Sequence, residues 1–169
     1  MTFFRKQINW FSKNSIIMNA ESDLSSMRLT CLPFHLIDIK NIVYLDLSNN
    51  SLKNICGIEK LASLKELRCS HNQLTTVDVL PLGLVILYLQ HNRLTSILYL
   101  PKSLQILVCF CNSLQTLPKL PDSLIFLGCH DNQLKCLPDI PAGLETVYAQ
   151  YNPLIKKPTV GPSTRLYLD

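Results

Sequence analysis

Residues 104–124 read LQILVCFCNSLQTLPKLPDSL. Leu104, Leu107 and Cys109 are spaced as alternating inward positions of a short strand. Asn112 and Leu114 follow at fixed offsets. The same phrase, L-x-x-L-x-L-x-x-N-x-L, returns along the chain. It reads IVYLDLSNNSL at 42–52, LKELRCSHNQL at 64–74 and LVILYLQHNRL at 84–94. LIFLGCHDNQL at 124–134 and LETVYAQYNPL at 144–154 complete the set. Its asparagines are Asn50, Asn72, Asn92, Asn112, Asn132 and Asn152, the first two 22 residues apart and the rest 20 apart. A polar residue held at one slot of so strict a period marks a repeat architecture.

Each unit predicts one short strand whose apolar residues alternate inward, and stacking the units makes a parallel sheet. The asparagine falls where the chain turns away from that sheet. Its amide is placed to bond backbone groups that the turn would otherwise leave unpaired, so the six form a structural ladder. The return path is short. Pro118, Pro121, Pro138 and Pro141 exclude a regular helix there and favour extended backbone. The 22-residue unit has ICGIEKLASL in the same place, which predicts a helical or 3₁₀ turn.

Around this core the sequence divides into an N-terminal segment, 1–23, and a repeat domain, 24–169. MRLTCLP (27–33) is a degenerate first repeat with Met27 in the asparagine slot. A truncated last repeat begins at Ser163 and places Leu166 and Leu168 at core slots. Phe4, Ile8 and Phe11, with Phe3 and Trp10 nearby, predict a short amphipathic helix. The segment contains Arg5, Lys6 and Lys13 and has no acid before Glu21. It reads as a cap on the first turn, with a targeting segment or membrane-surface helix as alternatives.

Hydrophobic residues make up 47% of the 169 and charged residues 17%, which suits a continuous core. The net charge is +4 and the basic residues are scattered, unlike the clustered stripe of a nucleic-acid binder. No apolar run approaches the ~18 residues of a membrane span. Seven cysteines are present. Cys69, Cys109 and Cys129 occupy inward slots and read as small hydrophobes, free thiols suited to a reducing, cytoplasmic environment. Adjacent turns bring Cys109 and Cys129 within bridging range on separation alone.

The phrase is the leucine-rich-repeat pattern. The L-P-x-L/I-P-x-x-L continuation with a 20-residue period resembles the LPX subfamily of bacterial leucine-rich-repeat effectors, of the YopM and IpaH kind. The 22-residue unit is similar to the repeat type of protein phosphatase 1 regulatory subunits. The resemblance covers about residues 24–168. It implies an α/β leucine-rich-repeat solenoid, a horseshoe with its parallel sheet on the concave side and a mostly extended or 3₁₀ convex side. It also implies a non-catalytic protein-binding role, as a bacterial effector secreted into the host cytosol. The IpaH type adds a ubiquitin-ligase domain with a catalytic cysteine. No cysteine here matches that role, so ligase activity is not carried over. A housekeeping cytosolic scaffold and the substrate-recognition portion of a ligase are the alternatives.

Residues between the inward slots line the concave face. Across its middle, Val85, Ile86, Tyr88, Ile106, Val108, Phe110, Ile125 and Phe126 are expected to face solvent as one apolar patch, with His91, His130, Tyr148 and Tyr151 as its polar rim. A partner protein, burial in an oligomer and plain strand propensity each account for such a patch. His71, His91, Cys111 and Asp131 form a row of zinc-type ligands, but a flat row does not converge on a tetrahedron, so no metal is assigned. Cys111 near His91 and His130 imitates a Cys–His pair on a face with no oxyanion hole. No catalytic residue and no cofactor is assigned. The last strand has no recognisable cap, and an open edge there offers a route to self-association.

Overall fold

A computed structural model describes residues 21–168. Ten short strands form: β1 (Glu21–Asp23), β2 (Tyr44–Asp46), β3 (Glu66–Arg68), β4 (Thr76–Val77), β5 (Ile86–Tyr88), β6 (Ser96–Ile97), β7 (Ile106–Val108), β8 (Phe126–Gly128), β9 (Thr146–Tyr148) and β10 (Arg165–Tyr167). Eight of them make one sheet in the order β1-β2-β3-β5-β7-β8-β9-β10, and β4 pairs with β6 on the opposite side of the coil. The pairing is parallel throughout, as expected when each turn of a solenoid repeats the last.

Register follows the inward leucines. Leu45, Leu67, Leu87 and Leu107 sit side by side, followed by Leu127, Val147 and Leu166. The first six of these are wholly buried in one continuous core. Leu64, Leu84, Leu104, Leu124 and Leu144 form a second buried file, and Cys69, Leu89, Cys109, Cys129 and Ala149 a third. Truncating a leucine such as Leu107 to alanine opens a cavity bounded by neighbours on both adjacent turns, at a cost of about 2–5 kcal/mol. All seven cysteines are free, and Cys109 and Cys129 are not bridged.

The asparagines clip successive turns together. Asn112 donates to Cys109 O in its own turn (3.1 Å) and to Leu89 O in the preceding one (3.0 Å), while its Oδ1 accepts Leu94 N–H (2.9 Å). Asn132 repeats this on Cys129 O, Cys109 O and Leu114 N–H. Asn50 reaches back to Leu24 O and Leu29 N–H. That places Met27 in the asparagine slot, as the sequence alignment of the first repeat implies.

The convex side is built from turns. In each P-x-x-L unit the proline carbonyl accepts the leucine N–H: Pro81 from Leu84, Pro101 from Leu104, Pro121 from Leu124 and Pro141 from Leu144, at 3.0–3.1 Å. Proline occupies the first turn position, where its missing N–H costs nothing. The 22-residue unit carries a 3₁₀ turn at Ile58–Lys60, and a second 3₁₀ turn spans Phe34–Asp38. Gly57 opens the former at φ 97°, where a Cβ would be strained and would meet Ile37 Cγ2 at 3.2 Å.

One expectation changes. Glu21–Asp23, assigned by the sequence to the N-terminal segment, form β1 and pair in register with β2, so the sheet begins inside residues 1–23. The helix expected within residues 1–20 lies outside the described residues.

Candidate functional site

Three columns of side chains cross the concave face. The first runs Glu21, Tyr44, Glu66, Ile86, Ile106, Phe126, Thr146 and Arg165; the second runs Asp23, Asp46, Arg68, Tyr88, Val108, Gly128, Tyr148 and Tyr167. The third follows each strand and includes Ser48, Ser70, Gln90, Phe110, His130 and Gln150. Its serines bond to each other, Ser70 Oγ to Ser48 Oγ at 2.9 Å.

Concave curvature crowds these columns. Ile86, Tyr88, Ile106, Phe110 and Phe126 are half-buried rather than fully solvent-facing. Val108, expected at the surface, is only 9% exposed. Its burial follows from Gly128 beside it. With no side chain there, the Phe126 ring leans over, so that a Cβ on Gly128 would sit 3.4 Å from Phe126 Cε1 and 3.9 Å from Val108 Cγ1. Val85 and Ile125 lie at the strand entrances, where each carbonyl accepts two N–H groups of the next turn; Ile125 stays 40% exposed and Val85 is half-buried.

Rings continue along the face beyond the apolar centre. His71 and His91 stack at 4.3 Å, His91 meets Phe110 edge-on at 5.2 Å, and Phe110 stacks on His130 at 4.3 Å. Phe126 tilts against Tyr148 at 5.8 Å, and Tyr148 stacks on Tyr167 at 4.4 Å. Such contacts restrict the rings' rotamers. Tyr151, 69% exposed, stands at the rim. Burial, and next the neighbouring His71, pull the His91 imidazole below its ordinary value.

The residue before each asparagine is more than a rim position. Asn49, His71, His91, Cys111, Asp131 and Tyr151 all have φ between 51° and 57°, as does Ser26 at φ 55° in the first turn. In this left-handed conformation His91 N–H reaches Phe110 O of the next turn at 3.2 Å, and Cys111 N–H reaches His130 O at 3.2 Å. Asn, Asp and His tolerate that region best, which was the available signal in the sequence. A second ladder was also missed. The residue before the first leucine of a unit is Ser63, Ser103 or Ser123 in three of them. Ser103 Oγ donates to Leu84 O at 2.6 Å and Ser123 Oγ to Leu104 O at 2.7 Å, tying the convex edge of each turn to the last.

The row His71, His91, Cys111 and Asp131 does not converge: among the described residues no three His, Cys, Asp or Glu side chains are placed to share a metal ion. Burial, and then the Asp131 charge, push the Cys111 thiol up, the opposite of what an activated nucleophile needs. Among the described residues no helix is long and apolar enough to cross a membrane.

Strand, asparagine clip and proline turn, repeated about a single core, make a leucine-rich-repeat solenoid; a family described as leucine-rich repeats in two copies matches residues 40–82. Its repeats are similar to those of bacterial effectors. A Shigella effector LRR domain superposes with a TM-score of 0.78 at 29% identity, over 91% of this chain and 68% of its own. YopM from Yersinia enterocolitica WA-314 aligns at 23% identity over 99% of this chain and 54% of its own, with a TM-score of 0.43. A leucine-rich-repeat protein of Leptospira interrogans aligns at 21% identity over 83% and 53%, with a TM-score of 0.39. No curated protein sequence matches the chain.

Proposed function

We propose that the protein is a bacterial effector that binds a host protein in the host cytosol through the middle of its concave face. Repeats of this class, and the likeness to the Shigella effector domain, support a protein-interaction module. The observation that carries the choice of face is its side-chain content. Ile86, Tyr88, Ile106, Phe110 and Phe126 lie on three adjacent turns with their remaining exposed surface toward the concavity. No folding requirement puts apolar side chains at these outward slots beyond strand preference. Burial against a partner removes that surface from water at about 25 cal/mol per Å². Tyr88 and Phe110 are central, aromatic and held by neighbouring rings or cations, which is the profile of hot spots. His91, His130, Tyr148 and Tyr151 surround them.

The test compares the parent with a Tyr88→Ala, Phe110→Ala variant as bait in host-cell lysate, with circular dichroism as the folding control. The proposal expects a host protein retained by the parent and lost with the folded variant. The same protein held equally by both would move the site off the concave face.

A further inference from the structure

Arg68 is held on the concave face by two tyrosines and a glutamate. Its guanidinium carbon lies 5.4 Å from the Tyr44 ring centroid and 5.1 Å from that of Tyr88. Glu66, two residues earlier on β3, accepts its Nε–H at 2.7 Å. A planar cation between aromatic faces with a carboxylate at its edge is a favourable setting for arginine.

One turn toward the N-terminus the same ingredients recur without the cation. Tyr44 stands in register with Glu21 of β1, and Asp46 with Asp23. Tyr44 gives one ring face to Arg68. Its hydroxyl donates to Asp46 Oδ2 at 3.3 Å. Asp46 Oδ1 accepts Ser48 N–H and Asp23 Oδ1 accepts Ser25 N–H, so each carboxylate is oriented and keeps acceptor capacity. Glu66 is engaged by Arg68, while Glu21, Asp23 and Asp46 form no ion pair among the described residues. Three carboxylates that form no ion pair among the described residues thus border a tyrosine, with Arg68 in register beside Asp46 and no cation in register beside Glu21 or Asp23, on a chain whose net charge is +4. This acidic end is continuous with the apolar centre: β2, β3, β5 and β7 are successive strands.

We propose that Tyr44, Glu21, Asp23 and Asp46 form a subsite for an arginine side chain of the partner protein, which therefore presents a segment basic at one end and apolar at the other. The inference rests on the concave-face reading above and specifies the partner's chemistry. It also gives a spacing. Strands β2 and β7 are three intervals of about 4.8 Å apart, roughly 14 Å. An extended segment crossing the strands covers that in about four residues. The arginine therefore lies about three residues from the side chain seated on Tyr88 and about four from that seated on Phe110.

A displayed library of random 12-residue peptides is selected on the full chain. Binding of the enriched peptides is then measured on the parent, on Glu21→Gln with Asp23→Asn, and on Tyr88→Ala with Phe110→Ala. The amide replacements are isosteric, and asparagine still accepts Ser25 N–H; circular dichroism checks each fold. The expected peptides carry arginine about three or four residues from an aromatic or branched apolar residue. They lose about tenfold in affinity on the amide variant and bind a Tyr44→Phe variant, which keeps the ring face, better than Tyr44→Leu. Apolar peptides without arginine, dependent on Tyr88 and Phe110 but indifferent to the amide variant, would overturn this inference and leave the concave-face reading intact. Peptides indifferent to both variants would overturn both. Arginine peptides that bind only after Arg5, Lys6 and Lys13 are changed to glutamine would assign the subsite to the chain's own N-terminal segment and overturn the proposal.

Discussion

Replacing Asn112 by alanine isolates what the asparagine ladder contributes. The side chain makes four bonds, to Leu94 N–H, Leu89 O, Cys109 O and Phe110 O. They are not equivalent once it is gone. Leu89 O keeps the amide of Asn92 at 3.0 Å, Cys109 O keeps that of Asn132 at 3.0 Å, and Phe110 O keeps His91 N–H at 3.2 Å. Leu94 N–H has no second partner and lies in a wholly buried residue. The variant therefore orphans one N–H, at a cost of about 1–3 kcal/mol. For a domain of this size that corresponds to a melting-temperature fall of about 2–12 °C. Asn112→Asp sharpens the test. It restores the acceptor for Leu94 N–H but points a carboxylate at three carbonyls. That environment favours the protonated acid, raising the folded-state pKa above the unfolded one, so the variant's stability should decline as pH rises through the folded value. The assay is thermal melting by circular dichroism, with the Asp variant followed from pH 4 to pH 7. An alanine variant melting within about 1 °C of the parent would refute the orphaned-donor reasoning. So would an Asp variant at least as stable at pH 7 as at pH 4.

Two further outcomes follow from the buried and stacked groups. The His91 imidazole is held below its ordinary value by burial and by His71. The folded chain thus binds fewer protons than the unfolded one just below pH 6.5, and stability falls as pH drops through that window toward the folded value. Urea midpoints at pH 7 and pH 5 should show the loss, and His91→Gln should reduce it; a slope unchanged by the substitution would place the acid sensitivity elsewhere. The thiols should divide by position. Burial pushes Cys69 and Cys109 well up and Cys129 up to about 12. Cys31, Cys56 and Cys136 are exposed. Alkylation followed by mass spectrometry should label the exposed three first and Cys69, Cys109 and Cys129 only on unfolding; early labelling at Cys109 would show that the core opens locally.

The strands, their register and the asparagine slot were legible because one leucine period governs all three. β1 was not, since Ser22 takes the inward slot where a leucine would have announced a strand, and it is buried all the same. The outward columns were read correctly as columns but not as a surface. Alternation says which way Val108 points, whereas its burial depends on Gly128 and the Phe126 ring one turn away. The left-handed slot was hidden by its own contents. Cys111 and Tyr151 do not suggest that conformation, although Asn49, His71, His91 and Asp131 do. The serine ladder was hidden by Gly83 and Gly143, which replace the hydroxyl in two units.

That left-handed slot ties recognition to chain geometry. Each of its residues must both turn the backbone and stand at the rim of the concave face, so a change there that suits a new partner is filtered first by whether the turn tolerates it. Asn, Asp and His pass that filter most readily, Cys111 and Tyr151 are tolerated, and no β-branched residue holds the slot among the described turns. Changes of specificity in such a protein should therefore accumulate in the strand columns, where Tyr, Arg, Ile, Val and Phe already alternate freely, while the rim stays within a short set of residue types from one turn to the next.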